Sequence, residues 1–249
     1  MNDPGKQSAN PCEAIFDEFV VWYGGELTDS LFAPNRDRPS NADYLFEGRT
    51  VVAELKCLRK EFFNDPIVGE KANKLIQGWL RKGKIPKNHM NGSKVTIPES
   101  LAPKIVDILK PPLKSALEKA NQQIKRTKNT HGAQGAKGLL ILVNEQNSAL
   151  TPDVAFYILA NLLKNRYSQI ASFIYTVPTM PMHNETLGKA ANLWVSGNAR
   201  DGVDGVEPAI LSSIKRGWVR FLEQKFDYEI EILEPADVGI LNELSFILS

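Results

Sequence analysis

Between Asn41 and Cys57 the chain reads NADYLFEGRTVVAELKC, and three ionisable residues, Asp43, Glu54 and Lys56, interrupt two apolar segments. Polar groups placed so are costly unless they are paired or bound to something. Side chains alternate between the faces of a strand, so Val52, Glu54 and Lys56 share one face, and Val51, Ala53, Leu55 and Cys57 the other. If Gly48 and Arg49 form a two-residue loop, Glu47 pairs with Thr50; if EGRT is a four-residue loop, Phe46 pairs with Val51. Both registers set Asp43 opposite Glu54, with Cβ atoms about 5 Å apart, whereas a three-residue loop would break the alignment. Facing carboxylates repel unless a cation lies between them. Oxygen ligands with open positions suit Mg²⁺ or Mn²⁺. Lys56, one pleat further along the same face, is placed to serve a water or neutralise a phosphate. These are the groups that phosphodiester hydrolysis needs.

Glu-x-Lys is a short pattern, and the chain holds a second copy at Glu223-Gln224-Lys225. That copy lies in WVRFLEQKF, whose apolar spacing is helical, and it lacks an aspartate on a preceding strand. It serves as an internal control. His89, His131 and His183 have no ligand spacing between them, so a zinc site is not expected. HGAQGAKG at 131–138 lacks the ending of a phosphate loop. Cys57 reads as a core thiol, and Trp79 as a core residue rather than a base-stacking one.

The elements that must hold these residues follow from periodicity. PCEAIFDEFVVWY has helical apolar spacing and stops at Gly24-Gly25. A short strand is expected near ELTDSLFAP, then strands over 42–46 and 50–57, then helices near 68–82 and 99–109. PPLKSALEKANQQIKRTK predicts a separate helix behind its prolines. KGLLILVN and IASFIYTV read as buried strands around the helix TPDVAFYILANLLKNRY. A strand at NLWVSG, a helix over 207–225 and a strand at YEIEIL follow. The order implies an α/β architecture with a central mixed sheet flanked by helices.

With Asp43 on one strand and Glu54-Leu55-Lys56 on the next, behind an acidic helix, the chain resembles the PD-(D/E)xK nuclease superfamily, the restriction-endonuclease-like fold. The resemblance covers roughly 11–60 and 112–177, with a helical basic insertion over 61–111, a C-terminal extension over 178–249, and a single domain over 1–249. Ala42 stands where the family motif has proline, and Pro39 lies earlier. The resemblance implies that Asp43, Glu54 and the carbonyl of Leu55 ligate Mg²⁺ (or Mn²⁺), while Lys56 serves the attacking water. It also implies an acid from the first helix, from among Glu13, Asp17 and Glu18, with Glu13 preferred by its distance from the glycine break. A polar residue on the later helix is implied too. At 100° per residue Gln123 falls at the edge of the apolar face and Gln122 nearly opposite, which selects Gln123, with Lys119 beside it.

The net charge of +1 conceals an uneven distribution: Lys71, Lys74, Arg81, Lys82, Lys84, Lys87 and Lys94 occur with no acid between positions 71 and 94. That points to a polyanion partner, with Arg81, Lys82, Lys84 and Lys119 as backbone contacts. With 43% hydrophobic and 24% charged residues, no long apolar run and two cysteines, the expectation is a cytoplasmic chain with no membrane span and no disulfide framework. The expected activity is a Mg²⁺-dependent deoxyribonuclease, an endonuclease of restriction, defence or repair type, with a homodimer among its allowed assemblies. The alternative is a catalytically inactive nuclease-fold protein that binds nucleic acid or regulates.

Overall fold

The computed structural model describes residues 11–31, 41–91, 94–145, 147, 150–164, 166–178, 190–200, 202, 204–227, 229–233 and 245–247. Pro39, Pro181 and His183 lie outside them. In chain order the elements are α1 (Pro11–Tyr23), β1 (Glu26–Leu27), β2 (Tyr44–Phe46), β3 (Val51–Leu58), α2 (Pro66–Arg81), β4 (Met90–Asn91) and β5 (Lys94–Thr96). Then follow α3 (Ala102–Thr130), β6 (Lys137–Asn144), α4 (Pro152–Leu163), β7 (Ser172–Pro178), β8 (Ala190–Asn198), α5 (Pro208–Phe226), β9 (Ile230–Leu233) and β10 (Ser245–Ile247). A seven-stranded sheet has the order β1-β2-β3-β6-β7-β8-β9. It is mixed: β3, β6 and β7 run parallel to one another, while β2 and β8 are antiparallel to their neighbours β3 and β7. The α/β class with a mixed sheet between helices is therefore observed. The region from 190 to 233 adds β8 and β9 to this sheet and packs α5 against α1.

Both faces of the sheet are buried, and the period-2 alternation of the strands sorts the core into two layers. Leu45, Val52, Leu140, Leu142, Phe173 and Tyr175 face α2, α3 and α4. Phe46, Val51, Ala53, Leu55, Leu139, Ile141 and Val143 face α1 and α5. There the Phe16 and Trp218 rings stack at 4.3 Å. Glu54 and Lys56 continue the row of Val52, toward α3. No described helix is long and apolar enough to cross a membrane.

The short strand expected near ELTDSLFAP is Glu26–Leu27, followed by a 3₁₀ turn over Thr28–Leu31. Two expectations need correction. The helices expected near 99–109 and after Pro112 are one 29-residue helix, α3, with Pro111 and Pro112 inside it. A helix-interior proline costs about 3 kcal/mol or more. Here Ile105, Val106, Leu109, Leu113, Leu117 and Ile124 keep one unbroken buried stripe through it. Each such side chain stabilises by about 1.5–3 kcal/mol, so burial outweighs the break. The region expected to be a helical insertion also holds strands β4 and β5, which pair with each other, and β5 pairs in turn with β10, over 245–247.

Candidate metal centre

The turn between β2 and β3 sets the register. Glu47, Gly48 and Arg49 are all left-handed, with φ of 49°, 58° and 70°. The two non-glycine residues are held there: Arg49 grips Glu26 through Nε (2.9 Å) and an Nη (2.7 Å), and the Glu47 carbonyl accepts from Thr50 N (3.2 Å) and Oγ1 (2.9 Å). The result is a four-residue loop with Phe46 opposite Val51 and Tyr44 opposite Ala53. One step further, Asp43 faces Glu54, although regular pairing has stopped at Tyr44. Asp43 Oδ2 accepts the Leu55 amide at 2.8 Å, where the next ladder bond would otherwise form. The sheet is notched at this point. An extended residue directs its N–H and C=O to the same side, so the Leu55 carbonyl also faces the notch.

The peptide units before Asp43 are clamped. Thr28 N donates to the Asp43 carbonyl (3.0 Å), and Thr28 Oγ1 donates to the carbonyl of Ala42. The Ala42 amide donates to Thr127 Oγ1 at 2.7 Å, and Gln123 Nε2 to the Asn41 carbonyl at 2.9 Å. A proline at 42 has no N–H for Thr127 to receive, which gives a physical reason for alanine there. Thr127→Val leaves a buried amide unsatisfied and is expected to destabilise by about 1–3 kcal/mol in urea unfolding. Ala42→Pro removes that same amide. The double variant is therefore expected to cost less than the sum of the single ones; strict additivity would show that the bond does not couple the two residues.

Glu54 is 1% exposed. Lys56 Nζ donates to Glu54 Oε1 and to Gln123 Oε1, the latter at 3.1 Å. Among the described residues Glu54 Oε2 is buried with no hydrogen-bond partner. Burial, and then the nearby Asp43 charge, push the Glu54 carboxyl up to about 8. Burial also raises Asp43 to about 6, against the lowering effects of the Leu55 amide and Lys56. Both carboxyls therefore hold a proton to higher pH than usual, and the site contains a desolvated carboxyl oxygen.

These groups line one cavity of about 270 Å³, which Glu13, Asp17 and Asp29 also reach. Of the three first-helix candidates, Glu13 and Asp17 face it, whereas Glu18 pairs with Lys225 of α5. Tyr44, itself buried, donates to Asp17 Oδ1 at 3.0 Å and so aims that carboxylate. Burial raises Asp17 as well. Asp29 and Tyr44 were not expected at the site. The clue to Asp29 is the Thr-Asp-Ser run, which favours a turn over a strand. Five carboxylates facing one lysine, one of them with a buried orphan oxygen, form a hard-oxygen set that fits Mg²⁺ or Mn²⁺. Among the described residues no three of these carboxylates lie within 4.8 Å of one another.

Gln123 is where helical geometry set it, bridging Lys56 and the Asn41 carbonyl, while Gln122 is exposed. Lys119 is exposed one turn earlier on α3 and does not line the cavity. Arg81, Lys82 and Lys84 are exposed at the end of α2, also away from the cavity lining. Trp79 is buried in the core, and the second Glu-x-Lys copy is helical. His89 Nδ1 lies 3.2 Å from the carbonyl of Thr96, and among the described residues it joins no cluster of metal-ligating groups. No protein-family model, curated protein or solved structure matches this chain.

Proposed function

We propose that the chain is a Mg²⁺- or Mn²⁺-dependent phosphodiesterase acting on nucleic acid, DNA first, as a member of the PD-(D/E)xK nuclease superfamily. The observation that carries this reading is the buried Glu54 Oε2, without a hydrogen-bond partner among the described residues, in a cavity shared with Asp43, Lys56 and Gln123. Asp43, Glu54 and the Leu55 carbonyl would hold the ion, with Glu13 or Asp17 on the far wall. When bound, the ion supplies Lewis-acid polarisation of the phosphodiester and acidifies a water at neutral pH. Lys56 directs its ammonium into the cavity, where it orients the attacking water and stabilises charge developing on the phosphate. Gln123 fixes that ammonium from α3, and Tyr44 fixes Asp17 from β2. Supercoiled plasmid, linear duplex, single-stranded DNA and RNA, each with Mg²⁺ and with chelator, test the reading. Metal-dependent cleavage of at least one of them is expected. Binding without cleavage of any would favour the inactive, regulatory alternative.

The exposed bases of α2 would serve as sequence-independent phosphate contacts in a cytoplasmic enzyme. Reversing Arg81, Lys82 and Lys84 to glutamate is expected to weaken duplex binding on all sequences alike. The log–log salt slope should fall by about 0.9 for each phosphate no longer neutralised. Cleavage at low salt and high enzyme concentration should survive, because the hydrolytic groups are untouched. An unchanged slope would assign these residues to ordinary solvated surface.

A further inference from the structure

The chain has two cysteines, 45 positions apart, and their sulfurs are in contact: Cys57 Sγ donates to Cys12 Sγ at 2.8 Å. A core residue touches about 6–12 others, so in a chain of this length the chance meeting of its only two cysteines is on the order of one in thirty. Their placement adds to this. Cys12 lies in the first turn of α1 beside Glu13, and Cys57 lies on β3 beside Lys56. The segment between them carries Glu13, Asp17, Asp29, Asp43, Glu54 and Lys56, that is, every charged group of the cavity.

We infer that Cys12 and Cys57 are a redox modification site, closed by hydrogen peroxide into a disulfide that ties α1 to β3 and braces the acidic cavity. The inference rests on the proposed metal site only for what the bridge braces. Thiols of an otherwise reducing compartment that meet in this way are characteristically redox-sensing rather than structural. Cys12 is 8% exposed, which admits a peroxide more readily than a protein disulfide. The two sulfurs are in mutual contact, Cys57 being the more exposed, and the chemistry is the same whichever reacts first. With Cys12 as the first nucleophile, its sulfur attacks one peroxide oxygen: an S–O bond forms, the O–O bond breaks, and the departing oxygen leaves as water with the Cys12 proton. The Cys57 sulfur then displaces the remaining oxygen: the S–S bond forms, the S–O bond breaks, and a second water leaves with the Cys57 proton. Two thiols lose two electrons, and one peroxide gains them.

A metal would need a third ligand, and Glu145 has its sulfur-facing carboxylate close enough. Arg59 Nε forms an ion pair with Glu145 Oε1 at 3.4 Å, although that oxygen is buried without a hydrogen bond among the described residues. Two thiolates on tetrahedral zinc, with bonds of about 2.3 Å, would also stand about 3.7 Å apart, so the thiols would have to separate.

The full chain, reduced and then treated with stoichiometric hydrogen peroxide, is unfolded, alkylated and examined by mass spectrometry and by melting. Neither cysteine is expected to be labelled, a Cys12–Cys57 linked peptide should appear, and dithiothreitol should restore both thiols. Closing so long a loop should raise Tm by about 5–10 °C in the oxidised protein. Cys12→Ser and Cys57→Ser should show neither change. Persistent labelling of both thiols, a bridge between two chains, or oxidation that stops at sulfinate would overturn the inference. So would protection of both thiols by stoichiometric Zn²⁺ in the reduced protein, which would make the trio with Glu145 a metal site. None of these readouts involves cleavage, so a failed bridge and a failed nuclease reading give different results.

Discussion

Glu54→Gln is expected to lower Mg²⁺-dependent cleavage by about 10³-fold or more while making the metal-free protein more stable above neutral pH. The loss follows from removing the charge of the cavity carboxylate whose buried oxygen has no hydrogen-bond partner among the described residues. The gain follows from linkage. Glu54 and Asp43 have folded pKa values of about 8 and about 6, both above their unfolded values near 4. A group raised on folding contributes stability that is fully present below its unfolded pKa and is lost as pH rises through its folded pKa. The metal-free wild type should therefore lose stability between about pH 4 and 8 on account of these two acids. Glutamine at 54 removes the larger part of that loss. Mg²⁺ favours the ionised forms, so it should raise the Tm of the wild type most at alkaline pH and change Glu54→Gln little. Melting curves at pH 5 and pH 8, with and without Mg²⁺, check all four arms. A wild-type Tm that is indifferent to Mg²⁺ at pH 8 would count against the metal centre.

Lys56→Ala is expected to reduce turnover by about 10²–10³-fold at saturating DNA, the usual cost of removing one positioned electrostatic group. Mg²⁺-induced stabilisation should persist, because the carboxylates remain. Gln123→Leu, which removes the α3 end of the lysine's hydrogen bonds, should lower turnover less and leave DNA affinity unchanged. Single-turnover rates beside binding isotherms separate these outcomes. A Lys56 variant with weakened DNA binding but normal turnover at saturation would make the lysine a phosphate anchor only.

The hairpin register was legible because two plausible turns give the same one: either loop places Asp43 opposite Glu54, and the left-handed Glu47-Gly48-Arg49 turn realises the longer one. Gln123 was legible for a similar reason, since only a 100° rotation separates it from Gln122, and the helix is regular there. Other parts depend on contacts that no local pattern encodes. Asp29 enters the cavity because Thr28 bonds to the Ala42–Asp43 backbone and turns the chain inward. Tyr44 reads as one more apolar strand residue until its hydroxyl is seen on Asp17. Pro111 and Pro112 are strong local stop signals, overridden by a buried stripe that extends to both sides of them. The pairing of β5 with β10 joins residues near 95 and 246, and the meeting of Cys12 with Cys57 joins a helix to a strand. Sequence separation hides both.

The central claim is that hydrolysis depends on a divalent ion held by Asp43 and Glu54. Its most direct test is a titration of Mg²⁺ against the single-turnover cleavage rate of labelled duplex DNA, run side by side for wild type, Asp43→Asn and Glu54→Gln. The account predicts a saturable rise in rate for the wild type, abolished by chelator, and no rise for either variant despite intact folding by circular dichroism. Equal rates in all three proteins, or cleavage by the wild type that persists in chelator, would contradict it.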